Sequence, residues 1–213
     1  MNSFKRTALF LLLGSAALLA SAAHAAPVTV TGFAMKYSGA PTGTVGYQSA
    51  INARIYAGEI ALMTTDGPLD AFCIDVTTRL TVGGYESTSP SSYGSGDPVT
   101  LDFALIGKLY DHHYEQSKTA AGSAAFQLAL WAIVNGSPTS NSSTFGGATT
   151  TANTWLSGLG SRDSIGLYRF SVLEPDGANQ RLLTSTLVPE PGTLALLGMG
   201  LLGAGLARRR RAR

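Results

Sequence analysis

The chain is 213 residues long, 45% hydrophobic and only 13% charged, with a formal net charge of +2. Seven basic residues sit at the two ends, so the stretch 26–188 keeps eight basic against twelve acidic residues; this mildly acidic body excludes nucleic acid as a partner, because phosphate binding requires a positive surface. The single cysteine, Cys73, excludes a disulfide within the chain, and the length suits one well-packed domain rather than two.

Residues 1–25 read as a secretory signal peptide. Lys5 and Arg6 form a positive start, Thr7–Ala20 is an apolar run, and Ala23-His24-Ala25 offers small residues at both recognition positions, so cleavage is expected after Ala25. The body is then 26–187, followed by a distinct C-terminal segment, 188–213.

The front of the body favours strands. Val28–Phe33 alternates, as do parts of Ile51–Met63 and Leu69–Val82, separated by turn-rich stretches at 38–46, 66–68 and 83–98. The period then changes: Leu101, Leu105 and Leu109, with Ile106 and Tyr110, recur at helical spacing, with Thr100 as the expected N-cap and Asp102 in the first turn. A second helix is expected over about 119–134, ended by Asn135-Gly136-Ser137-Pro138. A polar loop follows, then a short helix around 153–159 burying Trp155, Leu156 and Leu159, and strands at 164–173 and 181–188. The fold class expected is α+β: a strand-rich, antiparallel, sandwich-like sheet with a helical insert.

Asp111-His112-His113-Tyr114-Glu115 has metal-binding residue types, but adjacent histidines project about 100° apart on a helix and no third ligand accompanies them. A solvated helix end without metal or other cofactor is expected. Cys73 with His112 or His113 and Asp111 has the types of a Cys-His hydrolase, yet no nucleophile signature surrounds Cys73 and an apolar strand raises a thiol's pKa; a secreted hydrolase ranks third, and the chain is read as no enzyme. Tyr37, Tyr47, Tyr56, Tyr85 and Tyr93 suit either sugar stacking or sheet packing.

Two side chains need a partner. Cys73 lies in the strand Phe72-Cys73-Ile74-Asp75, and Gln127 in the apolar helix Ala124–Val134, where an unpaired buried carboxamide costs roughly 1–3 kcal/mol. A thiol that attacks the glutamine carbonyl and expels ammonia removes both problems, leaving an internal thioester that apolar surroundings protect from water. A small buried thiol beside a glutamine bonded to backbone is the inert alternative.

Phe72-Cys73-Ile74-Asp75 followed by Phe126-Gln127-Leu128-Ala129-Leu130-Trp131 resembles the thioester domains of bacterial surface adhesins. That resemblance implies a Cys73–Gln127 cross-link with Phe72, Asp75 and Trp131 beside it; Ala132 stands where similar helices carry glutamate.

The C-terminal segment has three parts: Pro189-Glu190-Pro191, fourteen apolar residues from Leu194 to Ala207, and the basic run Arg208, Arg209, Arg210, Arg211. As a helix the apolar part rises ~21 Å, short of a ~30 Å hydrocarbon core, and snorkelling arginines extend it to a marginal span with the basic end in the cytoplasm. The order resembles the PEP-CTERM sorting signal of Gram-negative bacteria. It implies an exosortase-type processing enzyme as partner, transient anchoring in the inner membrane, and delivery to the outer surface or an exopolysaccharide matrix. The function expected is a surface or matrix protein that adheres through the thioester to an extracellular polymer or surface nucleophile. A non-covalent structural or carbohydrate-binding component with free Cys73 is the alternative.

Overall fold

The computed structural model describes residues 26–43, 55–91, 93, 101–137, 139–140 and 144–189. The signal segment with its cleavage site at Ala25, and the tail from Glu190 through Pro191 to Arg208–Arg211, lie outside the described residues.

Strand alternation builds most of the body. The chain runs through β1 (Ala26–Met35), β2 (Thr42–Gly43), β3 (Ile55–Tyr56), β4 (Ile60–Thr64), β5 (Gly67–Cys73) and β6 (Gly83–Thr88). After the helices come β7 (Tyr168–Pro175) and β8 (Leu182–Leu187). Six of these strands close on themselves, all antiparallel, in the order β1-β4-β5-β8-β7-β6, while β2 and β3 form a separate two-stranded ladder. The sheet is therefore a barrel rather than the sandwich expected from sequence. The reason lies in β1, whose first half pairs with β6 through Ala26–Val30 and whose second half pairs with β4 through Val30–Met35, with a register shift between Val30 and Gly32. Such an irregularity sharpens twist and lets one strand bridge two neighbours.

The helical insert comprises α1 (Phe103–His113), a 3-10 turn (Glu115–Ser117), α2 (Ala120–Val134) and α3 (Gly147–Leu159). The N-cap of α1 is Asp102, whose Oδ1 accepts from Leu105 N at 3.0 Å, two residues later than the expected Thr100. α2 begins where Thr119 Oγ1 accepts from Gly122 N, and it buries every residue from Ser123 to Ile133. Its apolar circumference requires that position, between barrel and outer helices. α3 starts six residues earlier than expected. Its Thr/Ser-rich sequence reads as loop, but Thr151 and Thr154 return their hydroxyls to the carbonyls of Gly147 and Thr150, and Ala148, Ala152 and Leu159 are buried. Trp155 and Leu156 are half-buried.

Between α3 and β7, residues 164–167 form a loop instead of the expected strand. The Asp111 carboxylate gathers it, accepting from Ser164 Oγ and from the N–H groups of Ile165, Gly166 and Leu167 at 2.6–3.0 Å. Aromatic packing joins α1 and α2 to the barrel: Phe126 lies 4.8 Å from both Phe72 and Tyr110, ring to ring.

Candidate functional site

β5 outruns its neighbour. The last β4–β5 pair is Ile60 with Ala71, and Ile74 N–H turns to Arg181 O on the β8 side. The Cys73 peptide groups therefore face outward past the end of β4, where a bare buried N–H or C=O costs about 1–3 kcal/mol each. Gln127 of α2 fills the gap: its Oε1 accepts from Cys73 N at 3.1 Å and its Nε2 donates to Cys73 O at 2.7 Å. The carboxamide acts as one more rung of the ladder.

One stripe of α2 organises this end of the sheet. Ser123, a turn before Gln127, accepts from Glu59 N–H at 2.6 Å, and Trp131 follows a turn after. Gly58 lets the chain pass: its φ is +147°, and a Cβ there would lie 3.1 Å from Ser123 Oγ. Cys73 is 4% exposed, Gln127 and Trp131 1% each. The Cys73 thiol donates to Asp75 O at 3.0 Å. Burial pushes this thiol far above its ordinary range, with the hydrogen bond to Asp75 O and then the Trp131 indole pulling the other way.

Asp75 shapes the turn that follows. Its Oδ1 accepts from Thr77 N and Oγ1, Arg181 lies 3.8 Å from Oδ2, and Gln180 Nε2 donates to the carbonyls of Asp75 and Thr78. That turn walls a cavity of about 520 Å³ whose buried lining includes Cys73, Gln127 and Trp131. Met35, Ile60, Val76 and Leu80 make it apolar, and exposed Tyr56 and Arg79 mark its way out. Phe72, on the same strand, packs into the aromatic cluster that fixes α2 against β5.

The structure thus brings Cys73, Gln127 and Trp131 together, with Asp75 and Phe72 in support. It separates the histidines from them: Asp111, His112 and His113 are absent from the cavity lining. The expected solvated helix end is also corrected. His113 is 6% exposed and stacks on Trp155 at 4.7 Å, because α3 covers this side of α1. Burial lowers its pKa to about 4, with Arg162 and His112 adding repulsion. His112 is bonded to Asp163 O. Among the described residues no group of three His, Cys, Asp or Glu side chains is placed to hold a metal.

Tyr85 is a barrel-core residue, 1% exposed, and no stacking platform, whereas Tyr56 is 62% exposed at the cavity mouth; Tyr37 and Tyr93 are half-buried, and Tyr47 is outside the described residues. The sequence reading missed Ser123, Gly58 and Gln180. Only Ser123 left a signal there, as a hydroxyl four residues before Gln127 on an apolar helix.

Residues 187–211 match the PEP-CTERM protein-sorting motif, which marks the chain as an exported, surface-sorted protein and implies processing by an exosortase. No curated protein matches the chain. Among solved structures the chain is similar to the N-terminal thioester domain of a surface protein from Clostridium perfringens, at 16% identity and TM-score 0.44, over 76% of this chain and all of that one. It is also similar to the N-terminal thioester domain of the fibronectin-binding protein SfbI from Streptococcus pyogenes, at 15% identity and TM-score 0.45, over 70% of this chain and 93% of that one. The N-terminal domain of the Streptococcus pyogenes pilus tip adhesin Cpa is similar at 14% identity and TM-score 0.40, over 73% and 99%. Among the described residues no helix is long and apolar enough to cross a membrane.

Proposed function

We propose that Cys73 and Gln127 close into an internal thioester and that the exported chain uses it once, as a stoichiometric adhesive, to bond covalently to a nucleophile on a neighbouring surface or extracellular polymer. The observation that carries this reading is the pair of hydrogen bonds locking the Gln127 carboxamide against Cys73 in a dry interior that opens to a cavity. In this step Sγ gives up its hydrogen bond to Asp75 O and attacks Gln127 Cδ. As Sγ attacks, the negative charge gathers on Oε1, which already faces the Cys73 N–H. The C–N bond breaks, and the nitrogen leaves as ammonia with the thiol's proton.

In this reading the tail holds the chain in the inner membrane of a Gram-negative cell until an exosortase releases it to the outer surface or an exopolysaccharide matrix. No nucleic acid, metal or cofactor takes part, and the chain turns over no substrate. The same two hydrogen bonds also satisfy Gln127 without covalent chemistry, so a non-covalent binding or structural component with free Cys73 is the second reading.

Mass decides between them. In the full chain recovered from its native export route, the Cys73 and Gln127 peptides are expected cross-linked and ~17 Da light, the mass of one ammonia. Cys73 resists alkylation until methylamine adds to Gln127. Full alkylation of folded protein with no methylamine adduct overturns the covalent reading.

A further inference from the structure

The buried Trp131 indole N–H reaches no oxygen or nitrogen, and the group it acts on is the Cys73 sulfur, whose pKa it lowers. The ring is 1% exposed. Leaving such a group bare costs about 1–3 kcal/mol, and native interiors hold few of them. The backbone at this residue is by contrast fully tied, its carbonyl accepting from Asn135 N and Nδ2. The ring lines the same cavity as Cys73 and Gln127, and stands one helical turn beyond Gln127 on the stripe that meets the end of β5. The donor is therefore held, preorganised and dry, beside the two side chains whose reaction is proposed above.

We propose that the Trp131 indole N–H is a catalytic donor of the acyl transfer, stabilising the Cys73 sulfur while it carries negative charge. This rests on the thioester reading and deepens it. In the transfer, the incoming amine nitrogen bonds Gln127 Cδ, the Cδ–Sγ bond breaks, and its electron pair passes to Sγ. The proton shed by the amine ends on Sγ, so thiol and amide are the products and nothing else is consumed. A thiolate in this apolar cavity is strongly disfavoured, as the raised thiol pKa records, and the indole is a group that opposes that cost. Thioester formation is the same transfer run backward with ammonia as the amine, so the donor serves both directions.

The test compares the full chain with Trp131→Phe, which keeps an aromatic ring and deletes the N–H. Methylamine is added in excess and the adduct is followed by mass. The variant is expected to form the ~17 Da lighter species and then to open about 10²-fold more slowly, the loss typical of one preorganised donor. In parallel, the indole N–H resonances of the parent chain are recorded before and after opening. Trp131 is expected to shift as its acceptor changes from thioester sulfur to thiol, while Trp155, stacked on His113, stays. Equal opening rates overturn the proposal, as does an unmoved Trp131 resonance, which decides the matter even where the variant fails to fold. A parent chain lacking the light species removes the thioester reading itself, a result separate from either of these.

Discussion

Opening the proposed Cys73–Gln127 cross-link with methylamine should loosen the fold by a calculable amount. Residues 73 and 127 are 54 positions apart, and any covalent link between them closes that loop in the unfolded chain. The loop-entropy relation derived for disulfides gives about 4 kcal/mol of stabilisation for a loop this long. Methylamine replaces the thioester with a methylamide, which restores an N–H able to donate to Cys73 O, as Nε2 does in the amide form. The thioester lacks that donor, so the restored hydrogen bond returns about 0.5–1.5 kcal/mol and the net loss on opening is about 3 kcal/mol. For a domain of this size about 2–4 °C of melting temperature accompanies each kcal/mol, so opening should lower Tm by roughly 10 °C. The assay is calorimetry on the full chain before and after treatment, with the ~31 Da adduct verified by mass and Cys73→Ala as a control that methylamine leaves unchanged. An adduct that forms completely while Tm stays within a degree or two would refute the loop-entropy reasoning.

Three other outcomes are expected. In a Cys73→Ala background, where no thioester forms, Gln127→Leu should cost about 2–4 kcal/mol by denaturant unfolding, because it strips both peptide groups of residue 73 of their partner in a buried place; a cost under 0.5 kcal/mol would contradict the rung assigned to the carboxamide. Gly58→Ala should destabilise by about 1–3 kcal/mol, since it imposes a side chain on a φ of +147° and presses on Ser123, read as a lowered denaturation midpoint at unchanged slope. His113 titrates near 4 in the fold against 6.5 as its ordinary value, so between those values the unfolded chain binds the extra proton and stability rises with pH. Its contribution is complete above about pH 6.5 and is lost on acidification toward pH 4, by roughly 2–3 kcal/mol; His113→Phe should flatten that part of the stability curve, and an unchanged curve would remove His113 as its source.

Short-range physics explains what could be read before any coordinates. The alternation around Val28–Val30, the helical spacing of Leu105 and Leu109, and the stop at Asn135-Gly136 are local patterns, and each marks an element in the structure. Gln127 was conspicuous because a carboxamide on a helix that is apolar all round has to find a partner, and the sorting motif was legible because its parts are contiguous. Local patterns failed where partners came from afar. The start of α3 looked like loop because its threonines find their hydrogen bonds only within the helix that burial against α2 induces.

Closure of the barrel belonged to tertiary structure, since alternation states which face of a strand is buried and nothing of which strand lies beside it; β1 had to split its pairing between β4 and β6. So did the burial of His113, which depends on a helix more than thirty residues downstream. Composition and motif determined that this chain is exported, has a mildly acidic body and carries one thiol and one conspicuous glutamine. Only the fold decided that β4 ends one rung short of Cys73 and that α2 crosses at that point, because contact between residues 54 apart is set by packing of whole elements and not by the residues between them.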